Sequence, residues 1–492
     1  MYDLARPEWL SLFGEIYLTT IIMFLVLFGV FYQSESTLGI QPKNPVGINI
    51  TMGLGIQTVF ITALLLSNNI SIQGLTMFSH DDFGQIIATI LLISLAFYFL
   101  ILTPLVKKDP IYTFEYIVLI LCAALGMILL IKSNDLIAMY LSLELQSLSF
   151  YILAAYRRTS PYGTESGLKY YIMGGFSSAI LLFGMALLYG LTGITHYSHF
   201  DLFLIDTPSF GITVAYFFIL AGLLFKIAAV PFHMWAPDVY QGSALGTTAF
   251  FSIVPKLSII TGIYRLIAFQ PLDALFQLLS WVAIASILTG TLLGLVQTNI
   301  KRLFSYSSIA HVGFILFGIT IGTPLAWESS YFYIFLYIIM TLIAFSIFIS
   351  LKEAQGLDVE NGTQYFWINN LKNLGTRQPF LALAFAITLF SMAGIPPLAG
   401  FYSKFFILWN AIQQDYFLLA FAGILGSGIA AVYYIRLVQL MFFYNPSLEL
   451  EKEMNYSISG LNSMVISLCL FFLMFFFLKP DFLLLGVHNI IS

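Results

Sequence analysis

Apolar stretches of about 20 residues recur along the whole chain and are separated by short polar segments. A helix needs about 20 such residues to cross the ~30 Å hydrocarbon core of a bilayer. The pattern therefore predicts an all-α polytopic membrane protein with about fourteen transmembrane helices. The predicted limits are 12–32, 48–66, 85–105, 113–132, 134–156, 166–194, 210–236, 245–268, 274–297, 302–321, 329–351, 380–412, 416–443 and 458–478.

Two of these apolar runs contain internal prolines, in "AAVPFHMW" at Pro231 and in "AGIPPLAGFYSK" at Pro396 and Pro397. Proline removes a helical hydrogen bond and frees the carbonyl four residues earlier, so both runs are predicted to be broken helices. Two interrupted spans in corresponding halves are typical of inverted-repeat transporters. Pro231 and Pro396 are 165 residues apart, and Glu144 and His311 are 167 residues apart.

This spacing predicts a five-helix unit used twice. The predicted organisation is a three-helix segment at 1–112, a first repeat at 113–268, a second repeat at 269–443 and a C-terminal helix within 444–492.

Composition supports a membrane protein and excludes several other classes. The chain is 59% hydrophobic and 9% charged, whereas soluble domains carry about 25% charged residues. Its two cysteines, Cys122 and Cys469, lie far apart in apolar runs, which excludes a disulfide framework and a cysteine-ligated cluster. Neither a basic cluster for nucleic acid nor a metal-binding motif is present, and we expect no metal site in this chain.

The charges of the predicted loops are asymmetric and indicate an orientation. If the N-terminus faces outward, the basic residues fall mainly in the inward loops, as the positive-inside rule requires. The inward loops then contain Lys43, Lys107, Lys108, Arg157, Arg158, Lys301, Arg302, Lys352, Lys372, Arg377 and Lys452. The outward loops contain Lys132 together with Asp81, Asp82, Asp201, Asp206 and Asp415. Both termini are therefore predicted to face outward.

A few ionisable residues lie near the middle of predicted spans, where each charge costs at least about 2.5–3.5 kcal/mol. Lys226 precedes the Pro231 break, where the negative end of the half-helix dipole favours a cation. The candidate proton path consists of Glu144, Lys226, Lys256, His311 and Lys404.

Structural roles remain open for several of these residues. Glu144 could be a packed carboxyl, His311 could be a packing residue, and Lys226 could extend to the interface. For Arg265 and Arg436, which lie nearer span ends, extension of the charged head towards the interface is the preferred interpretation.

Five stretches, in order, resemble one membrane-protein family. They are "NDLIAMYLSLELQSLSFYILAA", "TESGLKYYIMGGFSSAILLFG", "LLFKIAAVPFHMWAPDVYQGS", "KRLFSYSSIAHVGF" and "SMAGIPPLAGFYSKFF". The chain is similar to the antiporter-like subunits of respiratory complex I, NADH:ubiquinone oxidoreductase, and most of all to the chain 2 family of plant and protist mitochondria. One departure is Ser243-Ala244-Leu245-Gly246-Thr247, where the family often has prolines.

The resemblance implies fourteen helices, two inverted five-helix repeats, and broken helices seven and twelve. It implies that Glu144 pairs with Lys226, that Lys256 is the central relay, and that Lys404 is the terminal one. It also implies that FMN, iron–sulfur clusters and ubiquinone belong to partner subunits and that this chain holds no cofactor. The implied neighbours are the antiporter-like chain 4, the side of the complex formed by chains 4L and 6, and lipids such as cardiolipin.

The location implied by the resemblance is the mitochondrial inner membrane, with a bacterial plasma membrane as the alternative. A different class of function also remains open, a cation/proton antiporter of the Mrp type without redox coupling. A membrane scaffold is a third possibility, but it does not explain the intramembrane charges. Co-migration with NADH dehydrogenase activity in a very large complex would separate the first class from the others.

Overall fold

The computed structural model describes residues 12–33, 45–67, 77–79, 81–109, 111–203, 210–268, 273–354, 367–443 and 458–478. Within these residues the chain forms helices and their connections, and it contains no β-strand beyond isolated bridges. The predicted all-α membrane fold class is confirmed.

The helices follow one another with short connections. The first ten are α1 (Phe13–Gln33), α2 (Pro45–Ser67), α3 (Asp82–Lys108), α4 (Phe114–Lys132), α5 (Leu136–Ala154), α6 (Pro161–Thr192), α7 (Phe210–Lys226), α8 (Trp235–Gly242), α9 (Leu245–Ile253) and α10 (Pro255–Ala268). The others are α11 (Asp273–Val296), α12 (Ile300–Thr320), α13 (Pro324–Ala354), α14 (Leu374–Arg377), α15 (Pro379–Ala393), α16 (Ala399–Gln413), α17 (Phe417–Phe442) and α18 (Gly460–Phe475).

Twelve helical segments in the described part of the chain are long and apolar enough to cross a membrane. Two shorter apolar helices, α7 and α15, are the first halves of the proline-containing runs. The interruptions therefore account for the difference between twelve and the predicted fourteen, and the exact number of crossings stays a prediction.

The first interruption separates α7 from α8. Residues 227–234 leave the helix, and Ala228 adopts a positive φ of 60°. Neighbouring groups bind the backbone at this point, because the Trp235 indole donates to the Phe225 carbonyl at 2.9 Å and the Val230 N–H donates to Ser286 Oγ at 2.9 Å. Such compensation is what irregular backbone at membrane depth requires.

The second interruption separates α15 from α16. Helix α15 ends at Ala393, Gly394 follows with a φ of 88°, and α16 starts at Ala399. Glycine is suited to this left-handed conformation because it has no Cβ. The Gly400 N–H donates to Ser391 Oγ at 3.1 Å, which ties the start of α16 to the last turn of α15.

A third interruption was not predicted. The predicted span 245–268 is divided at Val254 into α9 and α10, because Pro255 cannot donate a backbone hydrogen bond. Lys256 consequently lies in the first turn of α10 instead of the middle of a continuous helix.

Two helix pairs pack closely through glycine. A side chain at Gly126 of α4 would meet the Gln146 amide nitrogen of α5 at 2.8 Å, and one at Gly290 of α11 would meet the Ala310 amide nitrogen of α12 at 2.6 Å. Gly126 and Gly290 are 164 residues apart, as are Gln146 and Ala310. The same close helix contact thus occurs twice at nearly the spacing of the two breaks.

Candidate functional site

Lys226 is the last residue of α7 and its side chain is 8% exposed. Its ammonium donates to Ser147 Oγ at 3.0 Å, to the Tyr151 hydroxyl at 3.3 Å and to Ser178 Oγ at 3.4 Å. A lysine ammonium has three donors, and these three hydroxyls from α5 and α6 can accept from all of them.

Glu144 lies on α5, three residues before Ser147, and is partly exposed. The carboxylate and the Lys226 ammonium interact electrostatically, but no direct ion pair joins them in the described residues. The expected Glu144–Lys226 pair is therefore not in contact here, because hydroxyl groups occupy the ammonium. Ser147 lies on the same helix as Glu144 and is the closest of these partners.

Lys256 lies deeper in the molecule, on α10, and is 5% exposed. Its ammonium donates to the Tyr337 hydroxyl of α13 at 2.7 Å and lies 4.5 Å from the centre of the Tyr337 ring. The tyrosine therefore stabilises the lysine by a hydrogen bond and by the negative face of its ring.

His311 lies on α12, on which every residue except Arg302 is buried. One ring nitrogen, Nδ1, is 2.7 Å from the Tyr333 hydroxyl, and Nε2 is 3.2 Å from the Tyr434 hydroxyl. The imidazole also packs against Tyr337 at 5.1 Å between ring centres. Tyr337 of α13 therefore contacts both Lys256 of α10 and His311 of α12.

Lys404 lies on α16 but reaches back across the second break. Its ammonium donates to the carbonyls of Met392 and Ala393 at 2.9 and 2.8 Å, which are the last residues of α15. These carbonyls end a helix and have no following turn to bind them. The ammonium also lies 5.3 Å from the Phe314 ring, one turn along α12 from His311.

The structure adds groups that the sequence analysis did not select. Tyr333 and Tyr337 of α13, Tyr434 of α17 and Ser147 of α5 provide half of the hydrogen-bond contacts of the predicted lysines and histidine. The spacing of Tyr333 and Tyr337, four residues apart in an apolar run, places both on one helix face and was the available signal. Tyrosine is common in apolar cores, so this signal is weak without the fold.

Two basic residues lie in different environments from those expected. Arg265 was predicted to extend to the interface, yet it is 5% exposed and forms an ion pair with Asp81 at 2.7 Å. Burial disfavours the Asp81 carboxylate, but the charge and hydrogen bonds of Arg265 outweigh burial, so the pKa of Asp81 is below its usual value. Lys132 was placed in a loop, but it is buried and pairs with Glu15 of α1 at 2.5 Å.

Lys301 was also placed in a loop. The structure places it in the first turn of α12, 4% exposed, and its ammonium donates to the Ser243 carbonyl at 2.7 Å. The described residues contain no group of three or more His, Cys, Asp or Glu side chains arranged to hold a metal ion.

A family model described as "NADH:quinone oxidoreductase/Mrp antiporter, TM" matches residues 133–430. This segment is more than half of the chain and includes all five residues of the candidate path. The chain belongs to this family. The resemblance found in the sequence motifs is thereby confirmed.

Individual proteins of this family match nearly the full chain. NADH-ubiquinone oxidoreductase chain 2 of Marchantia polymorpha is 39% identical over 495 residues, which is 98% of each protein. A chain in the structure of respiratory complex I from Thermus thermophilus with bound aureothin is 26% identical, with a TM-score of 0.78 over 96% of this chain and 99% of that one. A chain of the Mrp complex from Dietzia sp. DQ12-45-1b is 19% identical, with a TM-score of 0.80 over 98% of this chain and 96% of that one, and this likeness shows the shared fold alone.

Proposed function

We propose that this chain is a proton-translocating subunit of the membrane arm of complex I. The observation that carries the proposal is the buried contact of Lys256 and His311 with one tyrosine, Tyr337. Buried ionisable groups inside a membrane are expensive, and a chain of them marks a proton path by default. The name of the chain 2 relative supports assignment to NADH:ubiquinone oxidoreductase.

In the proposed path, protons pass from Lys226 to Lys256, then through Tyr337 and His311 to Lys404. Lysine and histidine can each gain and lose a proton, and a tyrosine hydroxyl can donate one hydrogen bond while accepting another. Contacts on both sides of Tyr337 support the central step. Ordered water would complete the steps from Lys226 to Lys256 and from His311 to Lys404.

Glu144 is the proposed switch for Lys226. A carboxylate near the lysine stabilises its charged form, so movement of Glu144 away from the site favours release of the proton. Ser147 and Glu144 share one face of α5, and a shift of that helix would alter both the hydroxyl contact and the charge interaction.

We further propose that α4–α10 and α11–α17 are the two copies of a repeat, with the boundaries 113–268 and 269–443. The paired glycine contacts at a spacing of 164 residues support this proposal. At that spacing Ser147 corresponds to His311, three residues away from the Glu144 match that the sequence suggested. The partner of Lys226 in one half would then occupy the position of the central histidine in the other.

The proposed setting is a multi-pass subunit among other membrane-arm subunits, with a neighbour against the exposed face of α5 that carries Glu144. That face also includes the exposed Leu141, Leu148 and Ile152. We assign the redox centres and quinone to partner subunits, and we propose a mitochondrial inner membrane, with a bacterial plasma membrane as the second choice.

An Mrp-type antiporter is the second candidate, because the family model includes that class and the Mrp chain shares the fold. The two are separated by mild solubilisation and native electrophoresis. A complex I subunit co-migrates with NADH dehydrogenase activity in an assembly near a megadalton, whereas an antiporter runs in a complex without that activity.

The proton path itself is tested by Lys256→Met, which keeps much of the side-chain volume and removes the proton-binding group. Proton pumping per NADH oxidised is measured in membrane vesicles and normalised to assembled complex. The expected result is loss of pumping in complexes that still assemble. Parental pumping in assembled Lys256→Met complexes would exclude the proposed path.

A further inference from the structure

We propose that Lys301 is the inward end of the proton path and passes protons along α12 to Lys256. This inference rests on the proposed function and extends it to a residue outside the predicted set. The starting observation is a lysine buried at the first turn of α12 whose ammonium donates to the Ser243 carbonyl. In the predicted orientation this turn lies at the inward face of the membrane.

Polar side chains follow Lys301 along α12 towards the centre. Ser305 and Ser308 lie four and seven residues further on, so they share the helix face of Lys301, and His311 follows near that face. Both serines are buried. A polar stripe thus runs from the inward end of α12 to its middle, along a helix on which every residue except Arg302 is buried.

The other end of the stripe, at Ser308, lies close to the residues around Lys256 and Tyr337. The Ser308 hydroxyl donates to the Ser305 carbonyl at 2.8 Å and lies near the Tyr240 and Tyr337 hydroxyls. Tyr337 in turn accepts the hydrogen bond from Lys256. Ser308 therefore lies near the tyrosine that binds Lys256, at the centre of the proposed path.

The end of the stripe at Lys301, at the inward face of the membrane, is also surrounded by polar groups. Ser243, whose carbonyl binds Lys301, has its hydroxyl 3.0 Å from Thr248 Oγ1, and Thr248 donates to the Tyr240 carbonyl at 3.0 Å. All three residues are buried. These groups offer hydrogen-bond partners for water along the turn between α8 and α9.

A simpler role for Lys301 is a clamp. A cation near the C-terminus of a helix can bind its last carbonyls, and Ser243 directly follows α8. The next residue, Arg302, binds α8 as well, through Gln241 Oε1 and Asp238, each at 3.1 Å. Arg302 thus provides a clamp on the same helix that has no place in the proposed path.

Substitution by arginine separates the two roles. Arginine keeps the positive charge and can still donate to the Ser243 carbonyl, but it does not release a proton in proteins. If Lys301 carries protons, Lys301→Arg complexes should assemble and lose about tenfold or more in proton pumping per NADH oxidised, a change of about 1.4 kcal/mol or more. If Lys301 is only a clamp, the arginine variant should pump like the parent.

A second variant keeps the inference testable should Lys301→Arg fail to assemble. Ser308→Ala removes the hydroxyl near Tyr240 and Tyr337 and costs little in packing, and it should lower pumping several-fold. The matched control is Thr291→Ala, which removes a buried hydroxyl that bonds to the Ile287 carbonyl within α11. Arg302→Lys serves as the control for the clamp.

The inference is supported if Lys301→Arg and Ser308→Ala lower pumping while both controls do not. Parental pumping in Lys301→Arg overturns it, and so does parental pumping in Ser308→Ala when the arginine variant does not assemble. Lys256→Met is measured in the same series. If it loses pumping while Lys301→Arg keeps it, the proposed function stands and only the inward path is wrong.

Discussion

Lys226 and Lys404 each lie beside a helix break, but different groups hold their ammoniums. Lys226 binds three side-chain hydroxyls from α5 and α6, whereas Lys404 binds two backbone carbonyls at the end of α15. Hydroxyls can rotate and find other partners, while the carbonyls at a helix end are fixed by the backbone. The Lys226 site is therefore suited to a proton affinity that a neighbouring group can change. The Lys404 site is suited to holding a cation in a constant environment.

The comparison also explains why a carboxylate accompanies only one of the two lysines. Glu144 is close enough to Lys226 to interact electrostatically, and no ion pair involves Lys404 among the described residues. The carbonyls of Met392 and Ala393 replace that charge with partial negative charge from the end of a helix. A fixed dipole cannot be moved away, so control belongs to the Glu144 end of the path.

The largest effect is expected from loss of the fixed site. Lys404→Met leaves the Met392 and Ala393 carbonyls without their donor, and a buried unsatisfied polar group costs about 1–3 kcal/mol. Lys226→Met should cost less stability, because its three hydroxyls can bond to one another or to their own helices. Both variants should stop pumping, but only Lys404→Met should strongly reduce assembly, as quantified on native gels. Equal assembly of the two variants would remove the distinction between the sites.

The second effect concerns the switch. Glu144→Gln keeps shape and hydrogen bonding but removes the charge that stabilises protonated Lys226, so pumping and NADH:quinone turnover should fall together by about tenfold, or 1.4 kcal/mol. Glu144→Asp keeps the charge with a shorter reach and should lose less. The measurements are the proton-pumping rate and the NADH:quinone turnover rate, each normalised to assembled complex.

A plain packing role for Glu144 leads to a different order, in which Gln and Asp are tolerated alike and assembly is the main loss. Parental pumping and turnover in assembled Glu144→Gln complexes would leave Lys226 without a switch. It would also leave the two broken helices without a functional difference.

Sequence reasoning located the elements of this comparison but not the contacts within them. The two breaks follow from Pro231 and Pro396, since proline acts locally on its own helix. The partner of Lys404 could not be predicted, because the side chain reaches back over a turn whose geometry depends on the positive φ of Gly394. The family resemblance implied Glu144 as the partner of Lys226, whereas the contact with the Ser147 hydroxyl can be recognised only once the helix register is known.

The same limit applies to Tyr337. Its position in the apolar run of α13 is visible in the sequence, but the approach of Lys256 and His311 from two other helices is a property of the fold. Charged residues in the middle of apolar runs stand out in the sequence because their free-energy cost is high anywhere in a membrane. Placing a neutral polar residue in the membrane has a smaller free-energy cost, so the role of such a residue can be recognised only from its contacts in the folded chain.

A smaller effect is expected at the hydroxyls around Lys226. Ser147 Oγ is the closest acceptor at 3.0 Å and Ser178 Oγ the most distant at 3.4 Å. Ser147→Ala should therefore lower pumping more than Ser178→Ala, with losses of up to a few-fold, since one hydrogen bond contributes about 1 kcal/mol. The reverse order in vesicle assays would show that α6, and not the helix of Glu144, controls the lysine.

The smallest effect is expected at a charge pair remote from both lysines. Asp81→Asn removes the partner of buried Arg265, while Asp81 itself is 39% exposed, so solvent screening limits the expected loss of stability to about 0.5–1 kcal/mol.

The pKa of Asp81 is lower in the folded protein than its reference value. The stabilisation by its carboxylate is therefore complete above the unfolded pKa near 3.9 and is lost as the pH falls through the lower folded value. Heat-induced loss of assembled complex should differ between variant and parent by a constant amount from about pH 5 to 8, and the two should converge below about pH 4.

Pumping per NADH in the surviving complexes should match the parent, because the pair contacts neither Lys226 nor Lys404. A difference that changes between pH 5 and 8 would point to another titrating group, and a loss of pumping would mean that the outward end of α10 communicates with the proton path.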